Sequence, residues 1–176
     1  MSDRVVLWSL LGVALLISVV TDLVSRRIPD VVTYPTALLA LGFRFFREGV
    51  GDLEHGLISG AVAGLGAAAL LSIWAFRNKV GWGDVKLLLA AGCVFGYPLV
   101  MGALVFVSLA GAMQAMVTII WKGTVWTTLA GSLRRAGQKM RLVKGEPAAK
   151  EEPHYIPYGV AIALGCFWAM WWDRQG

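Results

Sequence analysis

Six stretches of this chain carry almost no charge, and each is bounded by arginine, lysine or a proline turn. That pattern constrains the fold more than any other feature. A backbone surrounded by hydrocarbon has no water to bond, so its N–H and C=O groups must be paired within the segment or around a closed barrel. Runs of this length without strict alternation predict helices. The chain has 176 residues, of which 57% are hydrophobic and only 15% charged; a soluble domain usually carries about 25% charged residues. The expectation is an all-α, polytopic integral membrane protein with six transmembrane helices, forming a single domain over 1–176.

The expected spans are Val5 to Val24, Val31 to Phe46, Leu57 to Phe76, Asp84 to Phe95, Leu99 to Trp121 and Ile156 to Trp172. A crossing needs about 20 apolar residues, so the fourth is too short and reads as a half-depth helix. No small-x-small cleavage site follows the first run, which argues against a removable signal peptide. The third run is rich in Gly and Ala, which lets helices approach closely. Gly96-Tyr97-Pro98 reads as a turn.

Basic residues set the orientation. With the amino terminus outside, the inner loops hold twelve of the sixteen Lys and Arg residues, and the outer side keeps Arg4, Arg44, Arg47 and Arg174. This positive-inside bias predicts six spans with both termini outside. It also accounts for the net charge of +5, so no nucleic-acid partner is expected. The long inner loop, 122–153, carries Trp126, Leu129, Leu133, Ala136, Met140 and Val143 at steps of three and four. A basic amphipathic helix on anionic lipid and a plain extension of the fifth span both fit. The sequence leaves oligomeric state open.

Two acids fall on the cytoplasmic side of this topology. Asp22 closes the first apolar run, where a carboxylate faces the negative end of the helix dipole. Its bland reading is a snorkelling acid paired with Arg26. Asp84 follows Gly81-Trp82-Gly83, whose glycines free the backbone for a sharp turn or a close approach by substrate. Its bland reading is a helix cap, and that of Lys86 is an interface anchor. Together the acids say more, because ionisable groups beside a span are costly and tend to be functional. Two converging carboxylates share one proton, so one can activate water while the other polarises a carbonyl. No competing catalytic set is present. His55 and His154 lack metal-ligand spacing, and no GxSxG elbow, P-loop or GxGxxG occurs. Cys93 and Cys166 sit within apolar runs as small hydrophobes. No metal or cofactor is expected.

At this point the residues resemble a known family. Asp22-Leu-Val-Ser-Arg-Arg-Ile28-Pro29-Asp30, Gly81-Trp82-Gly83-Asp84-Val85-Lys86-Leu87 and Ile156-Pro157-Tyr158-Gly159 resemble, in order, three signatures of the prokaryotic prepilin peptidases. The resemblance implies a GxGD-type aspartic endopeptidase of the cytoplasmic (inner) membrane. Such an enzyme removes the short basic leader of type IV pilin-like precursors at the cytoplasmic face, with Asp22 and Asp84 as the catalytic pair. Gly81, Gly83, Lys86, Pro29, Asp30, Pro157 and Gly159 are the matching positions for substrate binding or shaping the site. The chain lacks the paired CxxC motifs of the longer, methylating members. It is therefore similar to the short, peptidase-only TadV/CpaA-like form of Flp (Tad) pilus systems. Asp30 stands where short forms more often have Asn; with Glu151 and Glu152 it is a candidate to attract a basic leader. Two other readings remain: a GxGD protease of presenilin kind, which would carry Tyr-Asp and Pro-Ala-Leu elements not found here, and a six-span proton or ion transporter or scaffold.

Overall fold

The computed structural model describes residues 3–25, 27–76, 81–121 and 158–175. They form six helices and, among the described residues, no strand: α1 (Asp3–Ser25), α2 (Asp30–Glu48), α3 (Gly56–Ala75), α4 (Trp82–Phe95), α5 (Leu99–Trp121) and α6 (Tyr158–Asp173). Two units divide the chain, Met1–Gly111 with Pro157–Gly176, and Ala112–Ile156. The inner loop 122–153 lies outside the described residues.

Three helical stretches, Asp3–Ser25, Gly56–Ile73 and Leu99–Thr118, are long and apolar enough to cross a membrane. The other three helices do not meet that measure. α2 carries Arg44, Arg47 and Glu48 near its end, α4 has 14 residues and α6 has 16. Of the six expected transmembrane helices, all six form as helices, the fourth is short as expected, and three reach spanning length among the described residues. Helices α1 to α4 differ from the expected bounds by one or two residues at one or both ends, and α4 begins at Trp82 rather than Asp84. The expected start of the last helix, Ile156, lies outside the described residues.

α1 shows how the helices sort themselves. Leu7, Leu11, Ala14, Leu15, Ser18 and Asp22 recur at steps of three and four and are buried, forming one stripe that faces the bundle. The opposite face is apolar as well, and Val13, Leu16 and Val20 are exposed there. A helix in water would turn polar residues outward, so this apolar exterior suits lipid. α4 has no outward face of that kind: ten of its residues are buried, as expected of a central helix. It packs against α1, α2, α3 and α6. Its approach to α3 is close enough to need glycine, since a Cβ on Gly92 would lie 2.6 Å from Gly64 Cα and 2.7 Å from Ala63 O.

α4 is only about 21 Å long at 1.5 Å per residue, so its last carbonyls end among other helices. α2 supplies their donor. Arg44 Nε donates to Cys93 O at 3.1 Å, and Arg44 Nη2 donates to Val94 O and Phe95 O at 2.9 Å each. The chain leaves through Gly96 at φ 69°, where a Cβ would stand 2.6 Å from Arg44 Nη2. Ser59 completes the lock: its hydroxyl accepts from Tyr97 N at 2.9 Å and donates to Tyr97 O at 3.3 Å. Arg44→Met strips three buried carbonyls of their donor and is expected to cost about 3 kcal/mol. Thermal unfolding in detergent measures this, and a Tm equal to wild type would remove the role.

The loop between α2 and α3 holds His55. There the backbone N–H groups of Glu54 and His55 donate to Asp52 Oδ1 at 2.9 Å. These two bonds hold the Asp52 carboxyl below the usual carboxylate range.

Candidate active site

Asp22 lies on the last turn of α1 and Asp84 on the first turn of α4. Their side chains are among the few buried charged groups described, at 1% and 2% exposed. Asp22 is buried rather than reaching water, and its expected partner Arg26 lies outside the described residues. The two carboxyl groups are near enough for their charges to repel. Residues 62 positions apart in sequence therefore share one low-dielectric space, where both cannot ionise cheaply.

Each acid is held by backbone. Gly159 N, on the first turn of α6, donates to Asp22 Oδ2 at 3.2 Å. Gly81 N donates to Asp84 Oδ2 at 3.2 Å, so the acid reaches back over its own helix start as the third residue of a capping box does. Gly81 has no side chain to return the second bond. The capping reading of Asp84 is therefore half right and misplaced: the cap position is Gly81, and only one oxygen is used. The other, Oδ1, is buried without a hydrogen-bond partner.

The glycines shape this space by what they admit. A Cβ on Gly159 would stand 2.8 Å from Asp22 Oδ2, so only glycine lets α6 come this close to the acid. A Cβ on Gly83 would stand 3.0 Å from Ile28 Cβ. Gly83 thus receives the segment after α1 and draws the end of α1 towards the start of α4. The space a side chain at Gly83 would take is occupied by Ile28. Trp82 stands half exposed at the mouth, edge-on to Phe76 with centroids 5.1 Å apart.

Lys86 and Asp30 meet at the rim. Lys86 Nζ lies 2.7 Å from both carboxylate oxygens of Asp30 and 5.3 Å from the Tyr34 ring centroid. Both partners are partly exposed, so the pair ties α2 to α4 more than it stabilises the fold. Pro29 takes the cap position of α2 in an extended conformation, φ −73° and ψ 133°. Pro157 lies outside the described residues.

Sequence reasoning passed over Ser18, which lies one turn from Asp22 and is fully buried. Its signal was available, since it is a hydroxyl four residues, one helical turn, before the acid. Arg44 was counted only as an outer cation. A polar cavity of about 470 Å³, lined by Arg4, Arg44, His55 and Asp173 among others, lies at the other end of α4 from the acids. Among the described residues no group of three His, Cys, Asp or Glu could hold a metal ion. The arrangement offers a pair of buried carboxyl groups and, at Asp84 Oδ1, a buried oxygen without a hydrogen-bond partner. Such a pair can take and give protons.

The model of the type IV leader peptidase family matches residues 9–116. A prepilin leader peptidase/N-methyltransferase of Escherichia coli (strain K12) is 35% identical over 115 residues, 63% of this chain and 50% of that protein. One of Pectobacterium carotovorum subsp. carotovorum is 32% identical over 114 residues, covering 62% of this chain and 39% of that protein. The matched region spans half or less of the length of these curated relatives. No solved structure matches the chain.

Proposed function

The chain belongs to the type IV leader peptidase family, and from that premise we propose that Asp22 and Asp84 form an aspartic endopeptidase site. The substrate is a type IV prepilin-like precursor with a short basic leader and an apolar helix. The observation that carries this reading is the meeting of two buried carboxyl groups from α1 and α4.

In the proposed reaction one carboxylate takes a proton from water as the water oxygen attacks the scissile carbonyl carbon. The protonated partner donates to the carbonyl oxygen. The tetrahedral intermediate then collapses as the C–N bond breaks and a proton passes to the leaving nitrogen. No covalent enzyme intermediate is needed. The precursor's apolar helix lies in the bilayer beside the bundle, with its leader at the cytoplasmic surface. The positive-inside distribution supports placing the site on that side, with six membrane-embedded helices and both termini outside. Anionic lipid is the proposed neighbour of the basic 122–153 loop.

Asp30 already holds Lys86, so a leader's Lys or Arg must compete for that carboxylate rather than find it open. Flp-type precursors are the first substrates to try, on the strength of the likeness to TadV/CpaA-like enzymes. The test is co-expression of the chain with candidate precursors, followed by sequencing the product's amino terminus. Cleavage after a basic leader is the expected result. Unprocessed precursors throughout, with the protein folded in the membrane, would overturn the proposal.

A further inference from the structure

Serine and threonine hydroxyls within membrane helices usually satisfy themselves on the carbonyl three or four residues back. This chain follows the habit. Ser9, Thr21, Thr36, Ser72, Ser108 and Thr118 each donate to such a carbonyl at 2.7 to 2.9 Å. Ser18 departs from it. Its side chain is fully buried at 0% exposure, and Oγ has no hydrogen-bond partner. A buried hydroxyl left unpaired is unfavourable, and alanine at that position would avoid the cost.

The position of Ser18 supplies a reason. It belongs to the same buried stripe of α1 as Asp22, four residues away, so the Cβ atoms are about 5–6 Å apart. Helical side chains lean towards the amino terminus, which carries the Asp22 carboxyl back over the turn that holds Ser18. The Asp84 carboxyl, which the Asp22 charge reaches, carries another buried polar atom without a hydrogen-bond partner, Oδ1. A buried water needs two to four polar partners, and a hydroxyl with a pair of carboxyl groups provides that number.

We propose that Ser18 is a positioning residue for the hydrolytic water. Its Oγ accepts one hydrogen of a water whose other hydrogen faces the ionised carboxylate of the Asp22–Asp84 pair. The water's lone pair is then turned towards the scissile carbonyl. This rests on the protease reading above and deepens it. Ser18 itself forms and breaks no covalent bond.

Ser18→Ala separates this role from a structural one. Loss of the hydroxyl is expected to lower kcat about tenfold, the worth of one hydrogen bond, with KM unchanged. Tm in detergent should stay near wild type, because Oγ bonds no other protein group. A second readout needs no substrate. The infrared carbonyl band of the protonated carboxyl, assigned by its loss in Asp22→Asn or Asp84→Asn, should shift in Ser18→Ala. Wild-type kcat together with an unmoved band would overturn the proposal, as would a fall in kcat that merely tracks a fall in Tm with the band unmoved. Where the wild-type chain cleaves no precursor, the protease reading fails separately. The band then decides alone: a shift keeps Ser18 on the carboxyl pair, and an unmoved band removes it.

Discussion

Asp84→Asn is expected to reduce leader cleavage by at least about 10³-fold, because the amide can neither take a proton from water nor hand one on. Asp22→Asn should do the same. The double variant should be little worse than either single one, since residues that act as a unit lose their function together. Stability should move the other way. The two acids are buried at 1% and 2% exposure and repel one another. Replacing one with a neutral amide removes a buried charge that the fold otherwise has to accommodate. Each single variant should therefore keep or raise the wild-type Tm in detergent. Activity lost with Tm kept marks a catalytic pair; activity and Tm lost together would mark a structural one. Full cleavage by either variant would end the dyad reading.

Gly159→Ala is the second large effect. One methyl group at this position meets Asp22 Oδ2 at 2.8 Å and Asp22 Cγ at 3.3 Å. The α6 backbone is packed, whereas the carboxyl can turn away about its side-chain bonds. The acid should yield first, and with it goes the bond from Gly159 N. A displacement near 1 Å in a catalytic group can cost about 10²-fold in rate, so kcat should fall by that order. The fold should hold, because only a side chain has to move. Cleavage assays on purified protein, beside Tm, check both halves. Wild-type kcat in Gly159→Ala would show that the contact does not govern the reaction.

How much of this site was legible in the sequence follows from what each residue interacts with. Asp22 and Asp84 stood out because a charge in an apolar run is costly wherever the run folds. Lys86 and Asp30 were visible as candidates, but their pairing was not. It depends on α2 and α4 lying side by side, and residues 56 positions apart carry no local sign of it. The glycines suggest a sharp turn or a close approach by substrate from their backbone freedom alone. Their neighbours were not legible: Ile28 beside Gly83 and the Asp84 carboxylate beside Gly81.

Arg44 shows the same limit from the other side. In sequence it is one of four cations placed outside by charge distribution. In the fold its guanidinium closes the carbonyl end of a helix 49 to 51 positions away. Ser18 looked like an ordinary polar residue of a membrane helix until its hydroxyl was found without the usual carbonyl.

The sequence by itself determined the helical, membrane-type character of the chain, the short fourth helix and the two acids at the ends of apolar runs. Those properties are local: they depend on the length of each apolar run and the cost of charge within it. Only the tertiary structure decided that the acids share one buried space and which backbone groups hold them. Those depend on close packing between distant segments, where glycine at 83, 92 and 159 sets the distance of approach. Periodicity within one helix carries no record of its neighbour.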